Sequence, residues 1–250
     1  MGGVSLPRRI PVVLAAATVL LAGCTSTVEG TASPSPTTAG APSSSGSGGD
    51  QGGDQDPDGL AAGLLPEDAF GAGAQVSPVT EADVRAGAAV GADLAGVTIT
   101  PEACAQAIQQ SQPSVEDLED FAAQTATSGT SVVVQLLTVG APGDPVADLA
   151  ASVATCPQAT LTSPEIGTAT ITFSALDVPA LGDGSAGLSY TTSVTGPDGS
   201  QLTIPALIAV AVDGDRLLTV LSTSIGGSTD TAAFTDLVQQ AYDYQADQLD

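Results

Sequence analysis

The chain has no histidine, lysine, tryptophan or asparagine. Without histidine there is no Ser-His-Asp or Cys-His catalysis and no imidazole zinc site. Without lysine there is no Schiff base and no phosphate-binding P-loop lysine. The four basic residues are all arginine and stand against 28 Asp and Glu, for a formal net charge of −24. So acidic a chain cannot neutralise a phosphate backbone, and nucleic acid is excluded as a partner. Aromatic residues are scarce, at four Phe and three Tyr. The expectation is a protein with no catalytic residue, no metal site and no cofactor. What is present argues for a folded core: 42% of the 250 residues are hydrophobic, too many for a wholly disordered chain. The length suits one domain with appendages.

The first appendage is an export signal. Arg8 and Arg9 form a basic flank, and Ile10 to Ala22 is almost continuously apolar. At thirteen residues this run is too short to span a bilayer and has the length of a signal-peptide core. It ends in Leu21-Ala22-Gly23-Cys24, which looks like a bacterial lipobox. The resemblance implies cleavage before Cys24 and diacylglycerol on its thiol. The alternative is an ordinary secretory signal, or a buried apolar segment, with an incidental cysteine. The chain has three cysteines, at 24, 104 and 156. An odd number in an exported protein leaves one thiol to explain, and acylation of Cys24 (palmitate on a lipoprotein) accounts for it. Cys104 and Cys156 are then the natural disulfide in an oxidising compartment, with two buried free thiols as the alternative. Removing Arg8 and Arg9 takes the formal charge from −24 to −26. Two or more acyl chains hold a protein on a membrane without a transmembrane helix.

Residues 1–23 are therefore read as the lipoprotein signal peptide, and 24–58 as the lipidated cysteine and a disordered tether. Thr25 to Asp58 is rich in Ser, Thr, Gly, Pro and Asp and cannot bury enough surface to fold. Its 34 residues would span roughly 30 Å as a flexible coil. Residues 59–250 carry the folding pattern. Leu64 to Phe70 reads as a short helical turn with Pro66 at its first position. Thr80 to Asp83 fits a capping box. Thr100-Pro101-Glu102 caps a helix with Cys104 and Ile108 on one face. Ser114 to Asp117 opens another, burying Leu118 and Phe121. Ser131 to Val139 is a β-branched central strand. Asp144-Pro145 starts a helix that Cys156-Pro157 ends.

The second half is mostly β. Ala169, Ile171 and Phe173 alternate with threonines, and Leu188, Tyr190 and Val194 continue the period of two. Gly196 to Gly199 is a turn, and Asp213-Gly214 signals a hairpin between Leu202–Val212 and Arg216–Ser222. Pro205 predicts that its strand is at an edge or bulged. Phe234, Leu237, Val238, Ala241 and Tyr242 have the spacing of a final amphipathic helix. The fold class expected is α+β, an antiparallel β-sheet packed against helices, in a single disulfide-linked domain after the tether.

Several motifs resemble sites. Gly182 to Gly187 matches G-x-G-x-x-G, but a strand follows where a phosphate-binding helix is needed, so the segment reads as a flexible hairpin loop. Asp54 to Gly59 begins like a calcium loop, but Leu65 stands where the bidentate glutamate belongs. Asp213 and Asp215 flank a turn glycine and are read as turn formers, with a carboxylate pair for sugar hydrolysis as the alternative. Glu116, Asp117, Glu119 and Asp120 read as a solvated helix face. Arg85 and Arg216 read as salt-bridge or surface residues.

Leu64-Leu65-Pro66 with Phe70, Val79-Thr80, Ile99 to Cys104 and the later Cys156 together resemble the PknH-like extracellular sensor domain, a family of actinobacterial exported domains found on a kinase and on free-standing lipoproteins. The resemblance covers about residues 60–249. It implies an α+β fold around an antiparallel sheet, a Cys104–Cys156 disulfide and a sensing role without catalysis. The expected protein is a lipoprotein on the extracytoplasmic face of the cell membrane. Its partners are the membrane and an unidentified envelope ligand or protein. Glycans, lipids or small molecules would lie over the sheet; Phe173 and Tyr190 read as core residues, with a place on that ligand face as the alternative. The other readings are an acidic module docking a basic envelope partner and a carboxylate-only cell-wall hydrolase.

Overall fold

The computed structural model describes residues 59–84, 86, 97–110 (backbone alone at 107–110), 120–140, 143–163, 167–196 and 199–249. The signal segment, Cys24, the tether, Arg85, Glu116, Asp117, Leu118 and Glu119 lie outside them, as do the side chain of Ile108 and Asp54 to Asp58 of the calcium-like loop. The strands are β1 (Gln75–Pro78), β2 (Thr98–Thr100), β3 (Phe121–Ser128), β4 (Ser131–Val139), β5 (Gln158–Ser163), β6 (Gly167–Leu176), β7 (Gly184–Thr195), β8 (Gln201–Asp213) and β9 (Arg216–Ser224). All pair antiparallel in one nine-stranded sheet, in the order β1-β3-β4-β9-β8-β7-β6-β5-β2. Among the described residues, the α-helices with both ends described are α1 (Glu102–Gln110), α2 (Pro145–Thr155) and α3 (Thr231–Leu249). The α+β class is as the sequence implies.

Local chemistry explains where the helices begin. Asp144 accepts from Ala147 N at 2.9 Å and Pro145 supplies the first helical φ of α2. Asp230 does the same for α3 through Ala233 N at 3.1 Å. At the helical turn 81–84, Thr80 Oγ1 accepts from Asp83 N while the Asp83 carboxylate accepts from Thr80 N at 2.9 Å, the reciprocal pair of a capping box. The Thr80 hydroxyl also donates to the Asp83 carboxylate at 2.6 Å, and this bond first, then the one from Thr80 N, holds the Asp83 carboxyl below the usual aspartate range. Pro66 sits one position earlier than expected, as the cap of a single 3-10 turn at Glu67–Phe70.

The helices cover the sheet diagonally. Side chains alternate across a strand, so Ala209 and Ala211 of β8 face one way and Val210 and Val212 the other. On the first face α3 buries Phe234, Val238 and Ala241 against Leu207, Ala209, Ala211, Leu218, Val220 and Leu137. On the second face α2 lies over β7, its Val146 methyl groups 3.5 Å from where a Gly184 Cβ would stand. There the Cys104–Cys156 disulfide packs with Ala159, Ile99, Leu161 and Phe173. The bridge joins α1 to the residue that ends α2.

Three expectations need correcting. Phe121 is not on a helix; it opens β3, whose Ala-rich sequence has weak strand propensity and is held by ladders to β4 and β1. Pro205 is not on an edge strand, since β8 is the middle strand of nine, and its register runs unbroken. The β9 ladder stops at Ala206, opposite Thr223, so β8 has only the β7 neighbour from Pro205 back to Gln201. The proline is tolerated because that stretch is a local edge. Finally, Gly184 to Gly187 belong to β7 itself and are not loop.

Candidate functional site

Asp183, Asp213 and Arg216 converge at one corner, where the β8–β9 hairpin meets the segment before β7 and the last turns of α3. Asp213 closes β8 and Arg216 opens β9, directly opposite in register. Arg216 Nη2 donates to Asp213 Oδ2 at 2.6 Å, with side-chain exposures of 14% and 22%. Gln245, fully buried on α3, donates to the same carboxylate oxygen at 3.4 Å. Asp183 accepts from Gly214 N at 2.9 Å, and its own N–H bonds Val212 O at 2.9 Å. Gly182 makes this closeness possible: its φ is +48°, and a Cβ there would collide with the Val212 carbonyl oxygen and stand 2.8 Å from the Tyr242 hydroxyl. Burial first, then the negative charge of Asp213, to which its hydroxyl donates, and of Asp183, raise the Tyr242 phenol above the usual tyrosine range; Arg216 opposes this.

This corner reads as a clasp. Asp213, half of the carboxylate pair considered for hydrolysis, is held by Arg216 and Gln245. The G-x-G-x-x-G segment runs into strand β7 and presents no helix terminus for a phosphate. Arg216 takes the salt-bridge role. Asp120 is exposed, and its carbonyl accepts from Val139 N at 3.3 Å. Among the described residues no group of three or more potential metal ligands occurs, and no helix is long and apolar enough to cross a membrane. The outer side of α3 carries a shallow groove lined by Asp236, Gln239, Gln240, Asp243, Tyr244 and Asp247.

Sequence reasoning missed three buried amides, those of Gln124, Gln135 and Gln245. Gln135 Oε1 accepts from Leu65 N and from Gln124 Nε2, both at 3.0 Å, and Gln124 Nε2 also reaches Leu65 O at 2.8 Å. The chain entering the domain is thereby pinned to β3 and β4. Alternation places Gln124 and Gln135 on the α3 face, but nothing local tells an inward glutamine from an outward one. Gln135 Nε2 and Gln245 Oε1 are buried without a hydrogen-bond partner among the described residues.

Phe173 and Tyr190 oppose each other across β6 and β7, ring centroids 5.9 Å apart, in the layer beneath the disulfide. They belong to packing. Burial raises the Tyr190 phenol above the usual tyrosine range. The stabilisation this phenol contributes is therefore complete below the unfolded value of about 10 and is lost as pH rises through the higher folded value. The Tyr190→Phe variant should show a shallower fall of melting temperature on the alkaline side than the parent; superimposable curves would contradict this.

The surface left open by the helices lies on the α3 face over β2, β5, β6, β7 and one end of β8. Register places Thr98, Thr162, Thr168, Thr195 and Gln201 in one row across these strands. Thr100, Thr160, Thr170, Ser193 and Thr203 make the next, and Gln158, Thr172 and Thr191 a third. Every one of these residues is exposed or half-exposed, and none is charged. None of their side chains hydrogen-bonds another described residue. At about 4.8 Å between strands and about 6.8 Å between rows, the tiles cover about 19 by 14 Å. Thr170 and Thr172 were visible as the polar half of an alternating strand; the array needs the register of five strands and could not be read from any one of them.

Among solved structures, the chain is similar to an uncharacterized protein of Mycobacterium smegmatis, with a TM-score of 0.47 and 15% identity over 75% of this chain and 97% of that one. It is also similar to the extracellular domain of PknH from Mycobacterium tuberculosis, with a TM-score of 0.40 and 14% identity over 76% of this chain and 94% of that one. No protein-family model matches the chain, and no curated protein matches it.

Proposed function

We propose that the protein is a lipid-anchored extracytoplasmic lipoprotein whose domain is a non-catalytic ligand-binding or sensor module. The observation that carries this reading is the cysteine inventory. The disulfide takes Cys104 and Cys156 and leaves Cys24 alone, at the end of an apolar run behind two arginines. A buried disulfide suits an oxidising compartment outside the cytosol. The missing histidine and lysine, and the Asp213 carboxylate held by Arg216, support a role in binding over a role in bond cleavage.

Growth with labelled palmitate tests the anchor. The parent chain should take up label, fractionate with membranes and give an N-terminal peptide that begins at an acylated Cys24. The Cys24→Ala variant should lose the label and the membrane fraction while keeping the Cys104–Cys156 bridge. An intact, unmodified N-terminus on the parent protein would overturn the reading.

A further inference from the structure

We propose that the threonine-tiled face over β2, β5, β6 and β7 docks a neutral, polyhydroxylated glycan chain. This rests on the ligand-binding reading above and gives that ligand its chemical class. Charge decides first. The chain carries 28 acidic residues, yet none falls among the tiles, and neither does an arginine. An anionic ligand would find no cation there and would meet a negative domain around it. A cationic ligand would find no carboxylate among the tiles.

Hydrogen-bonding capacity decides next. Each threonine hydroxyl both donates and accepts, as a sugar hydroxyl does. The hydroxyls at Thr160, Thr170, Thr172 and Thr191 are not engaged with other described side chains or backbone, so binding would break no internal bond. The γ-methyl groups between them offer small apolar contacts to the C–H edges of a pyranose. The face has no aromatic ring to stack on, since Phe173 and Tyr190 lie on the other side of the sheet. Binding therefore depends on many weak contacts repeated along a chain, and a monosaccharide gains little.

The test is native electrophoresis of the mature lipidated chain in detergent micelles, through gels containing dextran, mannan or galactan. At least one of these neutral polymers should retard the parent, and added salt should not relieve it, since no ion pair is involved. Replacing Thr160, Thr170, Thr172 and Thr191 together by valine should weaken retardation at least about ten-fold, the loss expected when several neutral hydrogen bonds go together. The corresponding serine quartet should retain it, and both quartets should melt as cooperatively as the parent. No retardation by any of the three polymers, or equal retardation of the valine quartet, overturns the proposal. An envelope extract that raises the melting temperature of parent and valine quartet alike would leave the sensor reading standing and remove this face as its site.

Discussion

Replacing Cys104 and Cys156 together by alanine should lower the stability of the domain by about 4 kcal/mol on the chain-entropy model. The two cysteines are 52 positions apart, so the bridge withdraws a long loop from the unfolded ensemble. Both residues are also buried, at 0% and 3% exposure, against Ala159 and Phe173. Alanine at these sites removes the loop constraint and part of that packing without burying a new polar group. For a domain of this size the loss corresponds to a fall of about 8–16 °C in Tm. Calorimetry of the parent, unreduced, against the double variant measures it. A difference of a degree or two would mean that the unfolded chain is constrained some other way.

The Phe234→Ala variant should cost about 3–5 kcal/mol, the range for emptying a buried phenylalanine site. Phe234 is 4% exposed and packs α3 onto the sheet with Val238 and Ala241, where backbone and β-strand neighbours leave little room to collapse into the space. Chemical denaturation with an unchanged slope and a lower midpoint is the expected result. Phe234 and the disulfide lie on opposite faces and share no packing neighbour. The triple variant should therefore lose the sum of the two effects to within about 0.5 kcal/mol, and a shortfall would reveal coupling through the sheet.

The parts of the fold that could be read in advance are those whose stability is written locally. Strands β6 and β7 alternate over many residues, and β8 and β9 are apolar runs that flank the Asp213-Gly214 turn. Asp144-Pro145 marks a helix start, and α3 repeats its apolar residues at helical spacing. β1, β2, β3 and β5 carry no such signature. Gln75–Pro78 and Thr98–Thr100 are strands because an edge was available to pair with, and Ala122, Ala123 and Ala126 are buried because β4 brings Leu137, Leu136 and Val133 beside them. The same limit applies to the candidate site. The anchor and the disulfide depend on residues that can be counted along the chain. The tiled face depends on five strands lying in one register, and Gln245 meets Asp213 only through the docking of α3.

The 3-10 turns at Leu60–Gly63 and Glu67–Phe70 and the buried contact from Leu65 to Gln135 fix where the leading segment joins the sheet: beside β3 and β4. Strands β6 and β5 are four and five ladder steps further along, about 19 to 24 Å away. For a chain leashed at that end, traction from the membrane would fall on the glutamine-locked corner under α3. The threonine tiles would ride outboard, on the part of the molecule that carries none of the load.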